Sequence, residues 1–273
     1  MESVRRQRFL PGQIVIVATG QEVGFLKENF LDLPISYYHL EKGGQILQRN
    51  FGLQKLSPEI RLVALLDDDV VLMENSLKAM LDFFKGNPEL GAACFNVFNI
   101  EPYQFSRLKY FFNMAGKNIG EVTRAGYNTR ITHVDKDYPV QWIIGGAGVW
   151  RKEILESHPY EGGDLSTYAI NEDVYYSFPL SLKYPFAVCS QAKLEHFPEF
   201  AARNYSAAFG ERHIRERFRL VRKCDYFSVR RAYWASLGQI LENVARGIWK
   251  REAGYWKMAA GNVRGVCREL LRG

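Results

Sequence analysis

Nowhere in these 273 residues does an apolar run approach the ~18–20 residues needed to cross a bilayer, and no apolar signal segment opens the chain. Cysteine is scarce. Cys94, Cys189, Cys224 and Cys267 lie far apart, with no CxxC pair and no histidine at zinc spacing. That argues against a zinc module or a disulfide framework, and the four read as buried small residues of a protein kept in a reducing cytoplasm. Internal repeats and low-complexity tracts are also missing, which excludes a solenoid. Carboxylates run short at one end: residues 201–273 hold 16 Lys+Arg against 6 Asp+Glu, whereas residues 1–200 hold 20 against 24. The chain therefore reads as an acidic body followed by a basic tail. What is present in quantity, 47% apolar and 14% aromatic residues, suits one large α/β domain with an appendage.

The body is organised around Arg61 to Phe84. Leu62 to Leu66 is a continuous apolar run of the kind that fits a strand buried on both faces. Asp67, Asp68 and Asp69 follow at once, and Leu77, Met80, Leu81 and Phe84 then recur at helical spacing. An acidic triplet at the end of a core strand occupies the place where open α/β sheets bind ligands. Three adjacent like charges repel unless something absorbs them, and a divalent cation with oxygen ligands is the simplest absorber. The plainer alternative is a solvated turn ahead of a helix.

Strand and helix alternate around this stretch. Short strands are expected at Gln13 to Val17 and Ile35 to Leu40, with helices at Glu22 to Leu31 and Gln45 to Leu56. Further strands are expected over Leu90 to Phe98, Val140 to Ile144 and Phe186 to Leu194, with helices from Arg151 and from Glu172 to about Lys183. This is the pattern of a doubly wound, mostly parallel sheet flanked by helices. Residues 100–138 show no clear period, and Pro159 to Tyr168 reads as a loop of the sort that covers a site. Taken alone, Glu172-Asp173 is a helix-start pair favoured by the dipole, and His196 a structural histidine.

The order of signals resembles the family 2 glycosyltransferases, inverting enzymes of GT-A fold. The matching pieces are GGQILQRNFGL (Gly43 to Leu53), LLDDDVV (Leu65 to Val71), IIGGAGVWRKEIL (Ile143 to Leu155), NEDVYYSF (Asn171 to Phe178) and LEHF (Leu194 to Phe197). The resemblance implies a GT-A-like catalytic domain over residues 1–198 and a nucleoside-diphosphate sugar donor. It implies Mn²⁺ or Mg²⁺ held by Asp69, Asp67 and His196. It further implies Asp173 as the catalytic base supported by Glu172, Gly145 and Gly146 lining the donor sugar, Asp67 or Asp68 near the ribose, and Arg49 and Asn50 on the nucleotide side. The acceptor would be a glycan or lipid-linked molecule of surface polysaccharide or glycolipid assembly.

Two departures stand out. Val17-Ala18-Thr19-Gly20 occupies the position where the family carries an Asp that holds the nucleotide base. Counting back from the Asp triplet, Gln13 to Val17 falls where the family's second strand belongs and the first, central strand is expected to be absent, which would leave two neighbouring strands with unpaired edges; the competing assignment makes Gln13 to Val17 the first strand, with one strand–helix unit missing before Gly43. Residues 199–273 form a basic amphipathic helical extension. Arg203 to Lys223 is densely basic, and Tyr233, Trp234, Leu237, Ile240, Leu241, Val244, Ile248 and Trp249 recur at helical spacing. Such an extension suits either packing on the body or peripheral attachment to an anionic membrane surface; no nucleic-acid motif accompanies it. Two other readings remain open from sequence: a phosphatase of the haloacid dehalogenase type with Asp67 as nucleophile, and a non-catalytic nucleotide-sugar-binding relative.

Overall fold

The computed structural model describes residues 1–20, 22–161, 170–198 and 205–272. Most of the loop expected to cover the site, and Arg203, lie outside the described residues. The chain begins with α1 (Glu2–Arg5), β1 (Ile14–Thr19), α2 (Phe25–Asn29), β2 (Ile35–Leu40) and α3 (Gln45–Leu53). The sheet core comes next as β3 (Leu62–Leu66), β4 (Val70–Leu72), α4 (Ser76–Gly86), β5 (Ala92–Val97), α5 (Arg107–Phe111), β6 (Tyr138–Pro139), β7 (Ala147–Arg151), α6 (Lys152–Ser157), α7 (Glu172–Ser181) and β8 (Phe186–His196). Three helices close the chain: α8 (Ala207–Val221), α9 (Val229–Lys250) and α10 (Ala253–Leu270).

β3, β7, β5, β8 and β4 lie side by side in that order, with β6 also paired to β8. β3, β5 and β8 run in a common direction, and β4, β6 and β7 run against it. Along β5 every side chain is buried, and alternate residues serve opposite faces. Ala92 and Cys94 join Trp150, Phe178 and Phe218 on one side; Ala93, Phe95 and Val97 join Met80, Phe84 and Leu194 on the other. The sheet is thus covered by apolar layers on both faces.

β1 and β2 form a separate parallel pair, from Ile14↔Ile35 to Thr19↔Leu40. Among the described residues, β1 has no ladder partner besides β2, and β3 none besides β7. Among the described residues no ladder joins the two sheets, and Ala64 of β3 is exposed. Side-chain amides tie the small sheet to α3 and to the turn after it. Gln48 Nε2 donates to Val17 O at 2.8 Å, and Gln13 bridges Lys55 O and Ser57 N at 2.8 and 2.9 Å. The Gln7 side chain ties the N-terminal segment to Met73 O and Leu77 N, beside β4.

Three expectations need correction. Val140 to Ile144 is buried but is not a strand; β7 begins at Ala147, inside the glycine run. Its apolar side chains satisfy the core while its amides bond irregular partners: Ile143 N donates to Ser177 Oγ, and Ile144 N to Cys94 Sγ. An apolar run alone cannot distinguish that arrangement from a ladder. Val70–Leu72, not expected as a strand, pairs with β8. Cys267 is exposed rather than buried, and all four cysteines are free.

The C-terminal helices share the body's core. Ile214, Phe218, Leu220 and Val221 of α8 pack in the same cluster as Trp150 and Phe178. Gly261 brings α10 against α8 so closely that a Cβ there would stand 2.0 Å from Ala207 O. Much of the basic stretch is consumed by this packing. Arg217 is buried, Arg222 pairs with the buried Glu269, and Lys223 Nζ lies 3.8 Å from the Tyr175 ring centroid. Among the described residues no helix is long and apolar enough to cross a membrane.

Candidate active site

Two strand registers assemble one half of the site. β4 and β8 run antiparallel with Val70 opposite His196, and Phe197 N donates to Asp69 O at 2.9 Å. That register places Asp69 beside His196, and their side chains meet at 3.2 Å (Nε2 to Oδ2) across 127 positions of sequence. Asn99 fixes the His196 backbone from both sides: its Oδ1 accepts from His196 N and its Nδ2 donates to His196 O, each at 2.9 Å. The other carboxylate oxygen of Asp69, Oδ1, is buried without a partner among the described residues. A buried acceptor left unpaired is costly unless something binds there.

β3 and β7 pair Leu66 with Ala147, so Asp67 falls opposite Gly146, and Asp67 N donates to Gly146 O at 3.2 Å. A Cβ on Gly146 would stand 2.1 Å from Asp67 Cγ, so only glycine leaves room for that carboxylate. Withdrawal from water raises the Asp67 carboxyl above the usual range; Arg49 opposes the rise and the Asp69 charge adds to it. Asp68 is exposed.

The second half comes from α3 and α7. Arg49, on α3, is almost fully buried. It donates to Glu172 Oε1 at 2.5 Å and stands 3.6 Å from Asp67 Oδ1, so one guanidinium links the two carboxylates. A Cβ on Gly145 would press on Glu172 and on this guanidinium. Beneath Arg49 lies the Tyr160 ring, 5.5 Å away, itself stacked on Tyr176 with centroids 3.7 Å apart. The Asn50 side chain is committed to the Tyr160 backbone, donating to its O at 2.9 Å and accepting from its N at 3.1 Å. It thereby anchors the segment that leads into the residues after Glu161.

α7 opens at Asn171, whose backbone is left-handed with φ 57. Glu172 and Asp173 occupy the first turn. Burial raises the Glu172 carboxyl, opposed by Arg49. Asp173 is pushed up to about 7, first by burial and then by the Glu172 charge. Val174 N donates to Asp173 Oδ1 at 2.8 Å, and Ser177 Oγ connects Asp173 O to Ile143 N, two residues before Gly145. Arg217, which nothing in the sequence singles out, holds the entry turn. It donates to Asn171 Oδ1 at 3.2 Å and to Gly126 O, and lies 4.0 Å from the Tyr127 ring. It sits among six other basic residues in the sequence, and only tertiary packing distinguishes it. Among the described residues no group of three or more His, Cys, Asp or Glu is placed to hold a metal ion by itself.

The site therefore has a carboxylate–imidazole pair at a strand end, a carboxylic acid of raised pKa at a helix start, and an arginine-linked bridge between them. No curated protein sequence matches the chain. Among solved structures, S. aureus TarS 1–349 is similar with a TM-score of 0.52 at 16% identity, covering 92% of this chain and 67% of that one. The same protein in complex with UDP-GlcNAc gives 0.51 at 16% identity, covering 91% and 68%. GalNAc-T7, solved with UDP, GalNAc and Mn²⁺, gives 0.54 at 13% identity, with 86% of this chain covering about half, 51%, of that one. These likenesses establish the fold. The description "Glycosyl transferase family 2" matches residues 1–158, more than half of the chain, and the chain belongs to that family of glycosyltransferases.

Proposed function

We propose that this chain transfers a sugar, with inversion, from a nucleoside-diphosphate sugar to an acceptor hydroxyl, using the Asp69–His196 side for the diphosphate and Asp173 for the acceptor. The observation that carries the proposal is the convergence of Asp69 and His196 with an unpartnered, buried Asp69 Oδ1. Asp67, Arg49 and Glu172 form a continuous link from that side to Asp173.

The residues fit a hard divalent cation. The Asp69 carboxylate with the His196 imidazole supplies part of a coordination shell, and phosphate oxygens and water complete such shells. Asp69 and His196 would hold Mn²⁺ or Mg²⁺ with Asp67 beside them, and the ion would neutralise charge on the departing diphosphate. Asp173 accepts the proton of the acceptor hydroxyl as that oxygen bonds to the anomeric carbon. The bond from that carbon to the diphosphate breaks, and the diphosphate leaves with its electron pair. Gly145 and Gly146 let the donor approach the backbone, and Arg49, paired with Glu172, offsets part of the charge that Glu172 turns on Asp173. Two of the three similar structures named above contain UDP compounds, which supports a nucleotide-sugar donor. The acceptor is read as a glycan or a lipid-linked molecule of surface polysaccharide or glycolipid assembly, met at the cytoplasmic face of a membrane. Residues 1–198 are read as the catalytic part, and 199–273 as an extension that buttresses it. The phosphatase reading loses its ground because Asp67 is engaged with Arg49 and the family is one of glycosyltransferases.

The test is release of nucleoside diphosphate from a panel of activated sugars, with Mn²⁺ or Mg²⁺ and after chelation. Release should require the ion, and Asp69→Asn should weaken metal affinity at least ~10-fold, the lower end of what ligand support is worth. Ion-independent release would refute the metal assignment, and tight diphosphate binding without turnover would make the chain a binding protein. Gly146→Ala supplies a separate prediction. The new methyl would meet the Asp67 carboxylate at 2.1 Å and displace it. The expected outcome is a fall in kcat/KM of roughly 100-fold, as for a misplacement of about 1 Å, with circular dichroism unchanged.

A further inference from the structure

Helix α9 is built inside out. The residues it buries are small or polar: Ala232, Ala235, Ser236, Gly238, Asn243 and Gly247. Tyr233, Ile240 and Val244 are half-buried, and the other large apolar residues face water. Trp234, Leu237, Leu241 and Ile248 recur every three, four and seven positions, forming a single stripe opposite the buried face, and Trp249, 90% exposed, borders it. The stripe does not end with this helix. α5 lies alongside: Trp234 Nε1 donates to Phe111 O at 2.9 Å, the Phe111 and Trp234 rings are 5.3 Å apart, and Lys109 Nζ is 3.2 Å from Glu242. From α5, Leu108 and Phe111 are exposed by 69% and 61% and extend the apolar surface. Scattered exposed apolar residues need no explanation, but a contiguous band of tryptophan, phenylalanine and leucine does.

The charge around the band identifies what covers it. Glu242, its one acidic neighbour on α9, is taken up by Lys109 and Arg246. Arg230 at the start of α9 and Arg251 just past its end have no acidic partner among the described residues, and residues 201–273 carry 16 basic against 6 acidic side chains. A second copy would bring the same positive field against itself. A surface that is apolar in the middle, cationic at its edges and laid along a helix of 22 residues matches the headgroup–acyl boundary of an anionic bilayer, where tryptophan is favoured and each cation is attracted.

The geometry points to the outward face of α9, continued by Leu108 and Phe111 of α5, as a docking surface for anionic phospholipid bilayers. The surface deepens the reading of a lipid-linked acceptor above, and it places attachment on α9 and α5 rather than on the basic stretch of α8. Its test uses the full chain without sugar donor, so failure of binding is distinct from failure of catalysis. The chain should co-sediment with vesicles of phosphatidylcholine containing phosphatidylglycerol, and much less with phosphatidylcholine alone. Ile248→Ser with Trp249→Ser, both exposed and remote from the catalytic residues, should lower the partition coefficient at least ~10-fold while leaving diphosphate release from a soluble assay unchanged. Arg230→Gln with Arg251→Gln should reduce binding to the anionic vesicles selectively. Absence of co-sedimentation with either vesicle overturns the proposal. So does binding that the Ser substitutions leave intact, or a dimer by sedimentation equilibrium that those same substitutions dissociate.

Discussion

Asp173→Asn should abolish transfer, by about 10³-fold or more, and should at the same time make the protein more stable above neutral pH. The loss of activity stems from the role proposed for Asp173: an amide cannot take the acceptor's proton, and general-base catalysis contributes ~10²–10⁴-fold. The gain in stability stems from where the carboxylate sits. Burial and the Glu172 charge raise Asp173 to about 7, so the folded chain prefers it neutral. The unfolded chain ionises it in the ordinary carboxylate range. Stability is therefore lost progressively as pH rises from that range to about 7, and the loss is complete above it. Ionised Asp173 costs the fold on the order of 2–4 kcal/mol by this linkage. Asparagine keeps the acceptor for Val174 N and has no charge to bury. Thermal melts at pH 5 and pH 8 should show the wild type losing stability between them and the variant losing less. The wild-type rate should show the opposite limb, falling as pH drops below about 7 because the base is then protonated. A variant that still turns over at near the native rate would move the base elsewhere, and equal melts at pH 8 would mean that Asp173 is not held out of water.

The halves of this site differ in how much of them the sequence disclosed. The strand that delivers the Asp triplet was legible because five apolar residues end abruptly in three charges, and Leu62–Leu66 is the strand observed. Glu172 and Asp173 at the start of α7 were legible for the same reason, a sharp change of residue type at an element boundary. Their mutual placement came only through the family resemblance, because it depends on register. Only the pairing of Val70 with His196 brings Asp69 to the imidazole, and β4 is three residues long, too short for a period to register. Val140 to Ile144 failed in the other direction: it has the composition of a strand, but the amides of Val140, Gln141, Ile143 and Ile144 go to scattered partners, Phe186 O, Gly120 O, Ser177 Oγ and Cys94 Sγ, rather than to one neighbouring strand. Arg217 shows the limit most clearly. Nothing in a run of basic residues says which one will be buried against Tyr127 and hold Asn171, since that is decided by how α8 meets the body.

The bridge from Arg49 carries the second large expectation. Removing its charge in Arg49→Met should destabilise the fold by about 3–5 kcal/mol, because it leaves the buried Glu172 carboxylate uncompensated. Among the described residues the guanidinium is the one cation Glu172 touches, at 2.5 Å, and both side chains are 10% exposed, so water cannot substitute for it. The partner's response distinguishes this from a simple loss of packing. Glu172 is already raised by burial against the pull of Arg49, and without Arg49 it rises further. The destabilisation should therefore be smaller at pH 5 than at pH 8, since a neutral carboxyl has less need of a partner. The double variant Arg49→Met with Glu172→Gln should recover most of the loss, giving a coupling energy of roughly 2–3 kcal/mol in a urea-denaturation cycle at pH 8. Additive losses, or a cost below about 1 kcal/mol for Arg49→Met alone, would show the pair to be uncoupled. The double variant has a further use, because it restores the fold without restoring the link to Asp67, which lies 3.6 Å from the same guanidinium. If Arg49 serves only stability, donor binding returns with the fold. If it also shields Asp67 from the negative diphosphate, donor affinity stays low in a protein that melts like the wild type. A stable chain that binds donor poorly would thus place Arg49 in the site's electrostatics and not merely in its scaffold.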